Sequence, residues 1–132
     1  MQPETANIIP LHESDFITAV NKLLPQAIYR WKIHDSFTSG IPDAYYSGTK
    51  SDLWVEYKLL RTTPNKHTPK LTELQKNWLK AQYERGRNVI VIIGFKGGKG
   101  FIAEDLTWEK QLNITDLKSK QELANWIEKK VS

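Results

Sequence analysis

Three side chains that could do chemistry together lie in the stretch GIPDAYYSGTKSDLWVEYKLL, residues 40–60. Asp43 follows a Gly-Ile-Pro approach, and Glu56 and Lys58 interrupt an otherwise apolar run. Burying an unpaired charge costs far more free energy than packing returns. These charges therefore either form an ordinary solvent-facing salt pair or share a chemical role.

The alternation of a β-strand places Glu56 and Lys58 on one face, together with Trp54, because successive side chains point to opposite faces. If the preceding segment folds back through the Ser47-Gly48 turn as a hairpin, Asp43 lies across from them. Two carboxylates and one ammonium would then converge. That set suits Mg²⁺, which takes one or two carboxylates and keeps several waters. The lysine could then hold an attacking water or offset charge on a phosphate oxygen.

Two further polar residues fall on the apolar stripes of predicted helices. Glu13 shares a stripe with Phe16, Ile17, Val20 and Leu24. Either the first helical turn accounts for it, because the helix dipole stabilises an acid there, or it belongs to a metal site. Gln75 shares a stripe with Leu71, Leu74 and Trp78, and it forms a capping box with Thr72. We expect capping and a role in the site to coexist only loosely, because one amide has limited reach.

The elements that must position these residues follow the order α-β-β-β-α-β, with a short C-terminal β/α tail. Three successive strands indicate a meander, and the strand after the second helix can join the same sheet. The sequence therefore predicts an α/β fold with a mixed β-sheet flanked by helices. The predicted segments are a helix over 11–24, strands over 27–35, 42–48 and 52–60, a helix over 70–86, strands over 88–95 and 101–106, and a helix over 119–131.

The length of 132 residues fits one domain, spanning 1–132. The chain contains no cysteine, which excludes disulfides and thiolate zinc sites. Its N-terminus lacks the regions of a signal peptide, and its longest apolar run, VIVIIGF, is too short to cross a bilayer. We expect a cytoplasmic protein without a membrane partner. The tryptophans are expected in the core or at interfaces rather than as base-stacking platforms.

The net charge of +4 suits a polyanionic partner without demonstrating one. The excess is concentrated in the segment 58–70, KLLRTTPNKHTPK, which contains no acid and reads as a loop rich in proline and threonine. Its candidate DNA contacts are Arg61, Lys66, His67 and Lys70. The alternative is a solvated surface loop.

The ordered motifs GIPD, LWVEYK and LTELQ resemble those of the PD-(D/E)XK nuclease superfamily, and in detail its VRR-NUC branch, the virus-type replication-repair nucleases. The resemblance covers Glu13 to about Phe95. It implies a restriction-endonuclease-like core and phosphodiester hydrolysis with Mg²⁺, or with Mn²⁺ as a substitute. It also implies that Asp43, Glu56 and the main-chain carbonyl of Tyr57 bind the metal ion. Lys58 would be catalytic, and Glu13, as a further metal-site carboxylate, and Gln75 would complete the site.

Stand-alone VRR-NUC proteins of this size resemble junction resolvases that act as homodimers. We therefore expect a metal-dependent DNA endonuclease, structure-specific for branched DNA or Holliday junctions and located in the host cytoplasm if encoded by a phage. The alternatives are an exonuclease or nickase of the same superfamily, a DNA-binding module with an inactive site, or an unrelated α/β protein. The complete Asp/Glu/Lys set argues against the inactive module.

Overall fold

The computed structural model describes residues 12–34 and 39–132. These ranges contain helices α1 (Glu13–Lys22), α2 (Glu73–Glu84) and α3 (Lys120–Val131). The strands are β1 (Tyr29–Lys32), β2 (Ala44–Ser47), β3 (Asp52–Leu60), β4 (Lys66–His67), β5 (Val89–Phe95), β6 (Gly100–Ala103) and β7 (Leu112–Asn113), and a 3₁₀ helix spans Thr107–Glu109. The predicted elements occur in the predicted order, and β4, the 3₁₀ helix and β7 are additional. The starting residue of the first predicted helix, Leu11, and the last residue of the first predicted strand, Asp35, lie outside the described residues.

Five strands form the main sheet in the order β1-β2-β3-β5-β6. β1, β2 and β3 pair antiparallel as a meander, β5 is parallel to β3, and β6 is antiparallel to β5. A parallel pair needs a long crossover connection, and the segment containing α2 supplies it. The predicted mixed sheet is thus confirmed.

The two faces of the sheet are covered by different elements. On the back face, α1 and α3 pack against a core that includes Leu53, Val55 and Tyr57 of β3. The predicted stripe of α1 is buried there, with Phe16, Ile17, Val20 and Leu24. On the front face, α2 and the segment between β6 and α3 enclose a second core around Leu79 and Trp108. Glu56 and Lys58 belong to the front face because they alternate with the back-face residues of β3.

The ends of α2 follow the sequence signals closely. The Thr72 hydroxyl accepts a 3.1 Å hydrogen bond from the Gln75 amide, and Gln75 Oε1 accepts a 3.0 Å bond from the Thr72 amide. Gly86 follows the helix with a φ of 82°, a conformation that glycine adopts without a steric penalty. Ser119 and Glu122 form the second predicted capping box, at the start of α3.

The basic segment departs from the predicted loop. Lys66 and His67 form β4 and pair antiparallel with Asn113 and Leu112 of β7. The segment between β6 and α3, which contains β7, therefore holds in place the segment that follows the end of β3. None of the helices in the two described ranges is long and apolar enough to cross a membrane.

Candidate active site

The side chain of Asp43 accepts a hydrogen bond from β3 at the position just before β2 begins. Ala44 pairs with Val55, so Asp43 lies one position further along, beside Glu56. Asp43 Oδ2 accepts a 2.9 Å hydrogen bond from the main-chain amide of Tyr57. Its own carbonyl accepts a 2.8 Å bond from the amide of Ile33. Asp43 is thereby fixed from both sides, across from Glu56 as the hairpin pattern predicts.

Glu56 is a buried acid with one satisfied and one unsatisfied oxygen. The residue is only 2% exposed. Its Oε2 accepts a 3.0 Å hydrogen bond from Gln75 Nε2 and lies 3.3 Å from Lys58 Nζ. Its Oε1 is buried without a hydrogen-bond partner among the described residues. A buried acceptor left in this state is costly, and a cation bound to it would offset that cost.

Both acids resist ionisation in the absence of a cation. Burial, and to a smaller extent the nearby Asp43, raise the pKa of Glu56 to about 8 against the opposing effect of Lys58. Burial also raises the pKa of Asp43, opposed by the Tyr57 amide and by Lys58. Neighbouring carboxylates in a buried site disfavour each other's charge unless a cation lies between them. The single ammonium of Lys58 leaves this pair undercompensated.

Gln75 connects the helix to the acids. Its Oε1 accepts a 3.2 Å hydrogen bond from Lys58 Nζ in addition to the capping bond from Thr72. Its Nε2 donates to Glu56. The expectation that capping and a place in the site coexist only loosely is therefore wrong. The first turn of α2 lies over β3, so the amide group of Gln75 forms the capping bond and also contacts Glu56 and Lys58.

Gly40 brings the segment before Asp43 against that same turn of α2. Its φ is 83°, and a Cβ atom on this residue would lie 2.4 Å from the carbonyl oxygen of Leu74. Only glycine fits both the dihedral angle and the close approach. Sequence reasoning treated GIPD as an approach to Asp43 and missed this packing. The glycine three residues before the acid was the available signal.

Glu13 lies in the first turn of α1 and is half-buried. Burial raises the pKa of Glu13, as does the charge of Asp43, while Lys58 and the Leu59 amide oppose the rise. The position of Glu13 in the first helical turn is confirmed, and its role in a metal site stays a prediction. In the described parts of the chain, no three His, Cys, Asp or Glu side chains form a ready-made metal cluster.

The main-chain carbonyl of Tyr57 faces the same opening as Asp43. In an extended strand, the N–H and C=O of one residue point to the same side. The Tyr57 amide points to Asp43, so its carbonyl points to the same side of β3. The Tyr57 side chain lies on the back face, where its hydroxyl is 2.7 Å from that of Tyr46.

The candidate DNA contacts lie beyond the end of β3. Arg61, Lys66 and Lys70 are exposed, and His67 is half-buried. Burial and the charge of Lys70 lower the pKa of His67. The neutral imidazole is therefore favoured at pH 7, which weakens its attraction for phosphate relative to the three cations.

No family model and no curated protein matches this chain. Among solved structures, it is similar to the 1.6 Å structure of Hjc from Archaeoglobus fulgidus, a Holliday junction resolvase from an archaeal hyperthermophile. The TM-score is 0.55 at 13% identity, covering 87% of this chain and 97% of that one. At that identity the likeness concerns the fold alone. The predicted restriction-endonuclease-like core is confirmed, and the VRR-NUC assignment stays a prediction.

Proposed function

We propose that this single-domain protein is a metal-dependent deoxyribonuclease, and specifically an endonuclease that acts on branched DNA such as Holliday junctions. The observation that carries the proposal is the convergence of Asp43, Glu56 and Lys58, with a buried Glu56 oxygen that has no donor in the described structure. The fold shared with a Holliday junction resolvase supports the substrate class.

The donors at this site fit Mg²⁺, with Mn²⁺ as a substitute. Asp43, Glu56 and the Tyr57 carbonyl would hold the ion, and Glu13 adds negative charge from the edge of the site. All of these donors are hard oxygens, and their small number suits an ion that retains water ligands. When bound, the ion supplies polarisation of a phosphate oxygen and neutralisation of its charge.

Lys58 is the catalytic group that the chain itself provides. Its Nζ is held 3.3 Å from Glu56 Oε2 and 3.2 Å from Gln75 Oε1, which fixes the ammonium beside the acids. From there it can orient a water molecule towards phosphorus and stabilise charge that develops on the phosphate oxygens. Gln75 positions Lys58 and does not itself touch the reacting atoms.

The surfaces around the site suit a DNA backbone. Arg61, Lys66 and Lys70 follow Lys58 along the chain and would bind phosphates without regard to sequence. A homodimer would supply the second cut that resolution of a junction requires, since one site of this kind cuts one strand.

A cleavage panel tests the proposal. It offers a four-way junction, a flap, a linear duplex and a single strand, each with Mg²⁺, with Mn²⁺ or with a chelator. We expect paired cuts in the junction with either metal ion and none with the chelator. Products released only from ends would indicate an exonuclease, and single nicks a nickase. Binding without cleavage under all conditions would indicate an inactive module.

A further inference from the structure

A row of aromatic side chains crosses the front face of the sheet. Trp31, Tyr45 and Trp54 lie directly opposite one another on β1, β2 and β3, and directly paired residues share a face. The ring centroids of Tyr45 and Trp54 are 4.6 Å apart. Trp78 of α2 extends the row, 5.2 Å from Trp54.

The inner end of this row is fixed and the outer end is open. Tyr45, Trp54 and Trp78 are half-buried, and the Tyr45 hydroxyl donates a 2.7 Å hydrogen bond to Asp52. Trp31 is 45% exposed, so of the two predicted positions for a tryptophan, the core and an interface, only the interface fits this residue. Tyr29 beside it is 59% exposed. The exposed rings of Trp31 and Tyr29 therefore present aromatic surface to solvent next to the half-buried rings of the row.

The row lies next to the candidate active site. Asp43 and Glu56 are each two residues from the row's members on their own strands, Tyr45 and Trp54, and therefore on the same face. Two residues along a strand span about 7 Å. A DNA strand with a phosphate at the two acids thus carries a neighbouring base within reach of the rings.

We propose that Trp31, with Tyr45 and Trp54 behind it, stacks an unpaired base beside the scissile phosphate; this rests on the proposed function. A base inside a duplex has both faces covered by its neighbours, so only an unstacked base can use the row. The preferred substrates are then DNAs with an unpaired nucleotide at the cut, at a bulge, a fork or a branch point. Because every base has a π face, the preference is for structure and not for sequence.

The charge of the chain favours DNA as the occupant of this surface. The net charge of +4 attracts a polyanion, and the rings lie beside the acids that would hold a DNA phosphate. Self-association through the rings remains the competing outcome of the test.

The experiment measures binding in a Lys58→Ala background and in a chelator, so that the DNA stays intact during the measurement. Anisotropy of labelled DNA compares a duplex carrying a single-stranded branch with a fully paired duplex. We expect Trp31→Ala to weaken binding of the branched DNA by about tenfold or more and to leave paired duplex unaffected. Trp31→Phe keeps a ring and should restore most of the affinity. Leu23→Ala, which removes a similarly exposed apolar side chain at the end of α1, should change neither affinity.

Equal weakening of binding to both DNAs, or no weakening, would overturn the proposal. Dissociation of an oligomer by Trp31→Ala in sedimentation velocity would also overturn it and assign the rings to a second copy. The measurements distinguish failure of the base-stacking proposal from failure of the nuclease proposal. If wild-type protein cuts no DNA while Trp31→Ala still loses selective binding, the nuclease assignment fails and base stacking stands. If wild-type protein cuts DNA and Trp31→Ala keeps its selectivity, base stacking fails and the nuclease assignment stands.

Discussion

Gln75 Nε2 donates a 3.0 Å hydrogen bond to Oε2 of Glu56, which ties the first turn of α2 to the middle of β3. The other end of the same amide receives hydrogen bonds from Lys58 and from the Thr72 amide. A residue that caps the start of the helix therefore also holds Lys58. Gln75 therefore contributes both to the stability of the helix and to the arrangement of the site. A pair of substitutions separates these two contributions.

The variants Thr72→Ala and Gln75→Ala both weaken the capping box, but only Gln75→Ala releases Lys58 and Glu56. Loss of an N-cap costs about 1 kcal/mol of stability, so both variants should unfold at lower urea concentration. Thr72→Ala should keep the wild-type cleavage rate. Gln75→Ala should cut about tenfold more slowly, or slower still, because the lysine is no longer held in position. Similar single-turnover rates for the two variants would contradict the positioning role of Gln75.

The buried acid predicts that the metal-free protein loses stability as pH rises. Burial raises the pKa of Glu56 from 4.5 to about 8, so between these values the folded state binds a proton that the unfolded state has released. The free energy of unfolding therefore falls as pH rises through this window and levels off above it. Glu56→Gln removes this titration and can still accept the Gln75 hydrogen bond, so its melting temperature should fall less.

Melting curves between pH 5 and 9 in a chelator, for wild type and Glu56→Gln, check this prediction. Added Mg²⁺ should raise the melting temperature of wild type most above pH 8, where the acid is ionised, and should raise that of Glu56→Gln much less. Parallel pH profiles for the two proteins, with and without Mg²⁺, would refute a buried, metal-binding Glu56.

Sequence patterns predicted the parts of the site that depend on local periodicity. Strand alternation placed Glu56 and Lys58 together, and the hairpin turn placed Asp43 across from them. The capping residues of α2 and α3 were predicted because each box is complete within four residues. Such features need only neighbours in the chain, so they can be read before the fold is known.

Features that depend on distant segments could not be predicted in this way. The strand formed by Lys66 and His67 is too short to show a period, and its partner β7 lies far along the chain. The packing of Gly40 against Leu74 and the double role of Gln75 both require α2 to lie over β3. The exposure of Trp31 likewise depends on which elements leave that part of the sheet uncovered.

Gly40 and Gly86 form a matched pair for testing the packing against α2. Both have positive φ, so alanine at either position should cost about 1–2 kcal/mol from backbone strain. A Cβ on Gly86 meets no described atom within 4 Å, whereas one on Gly40 lies 2.4 Å from the Leu74 carbonyl oxygen. Gly40→Ala should therefore be the more destabilising and should also weaken Mg²⁺ binding by displacing Asp43. Calorimetric titration showing equal Mg²⁺ affinity in both variants would exclude this coupling.

The three exposed cations after β3 should act on DNA through charge alone. Neutralising Arg61, Lys66 and Lys70 together should lower affinity for junction and duplex alike. It should also flatten the dependence of log K on log salt by roughly one unit for each phosphate that the variant no longer binds. Neutralising Lys129 and Lys130, at the end of α3, removes two charges elsewhere and serves as the control. An unchanged slope in the triple variant would mean that the segment is a solvated surface.

Single-turnover cleavage of a four-way junction by wild type and Lys58→Ala, in Mg²⁺ and in chelator, decides whether this protein is a metal-dependent nuclease with a catalytic Lys58. We expect wild type to cut only with Mg²⁺ and Lys58→Ala to cut about 100-fold more slowly or not at all. Junction affinity should be nearly unchanged, because the charge is needed mainly in the transition state. Lys80→Ala, an exposed lysine of α2, should cut like wild type. Cleavage by folded Lys58→Ala at the wild-type rate would exclude a catalytic Lys58, and cleavage by wild type in chelator would exclude a metal-dependent nuclease.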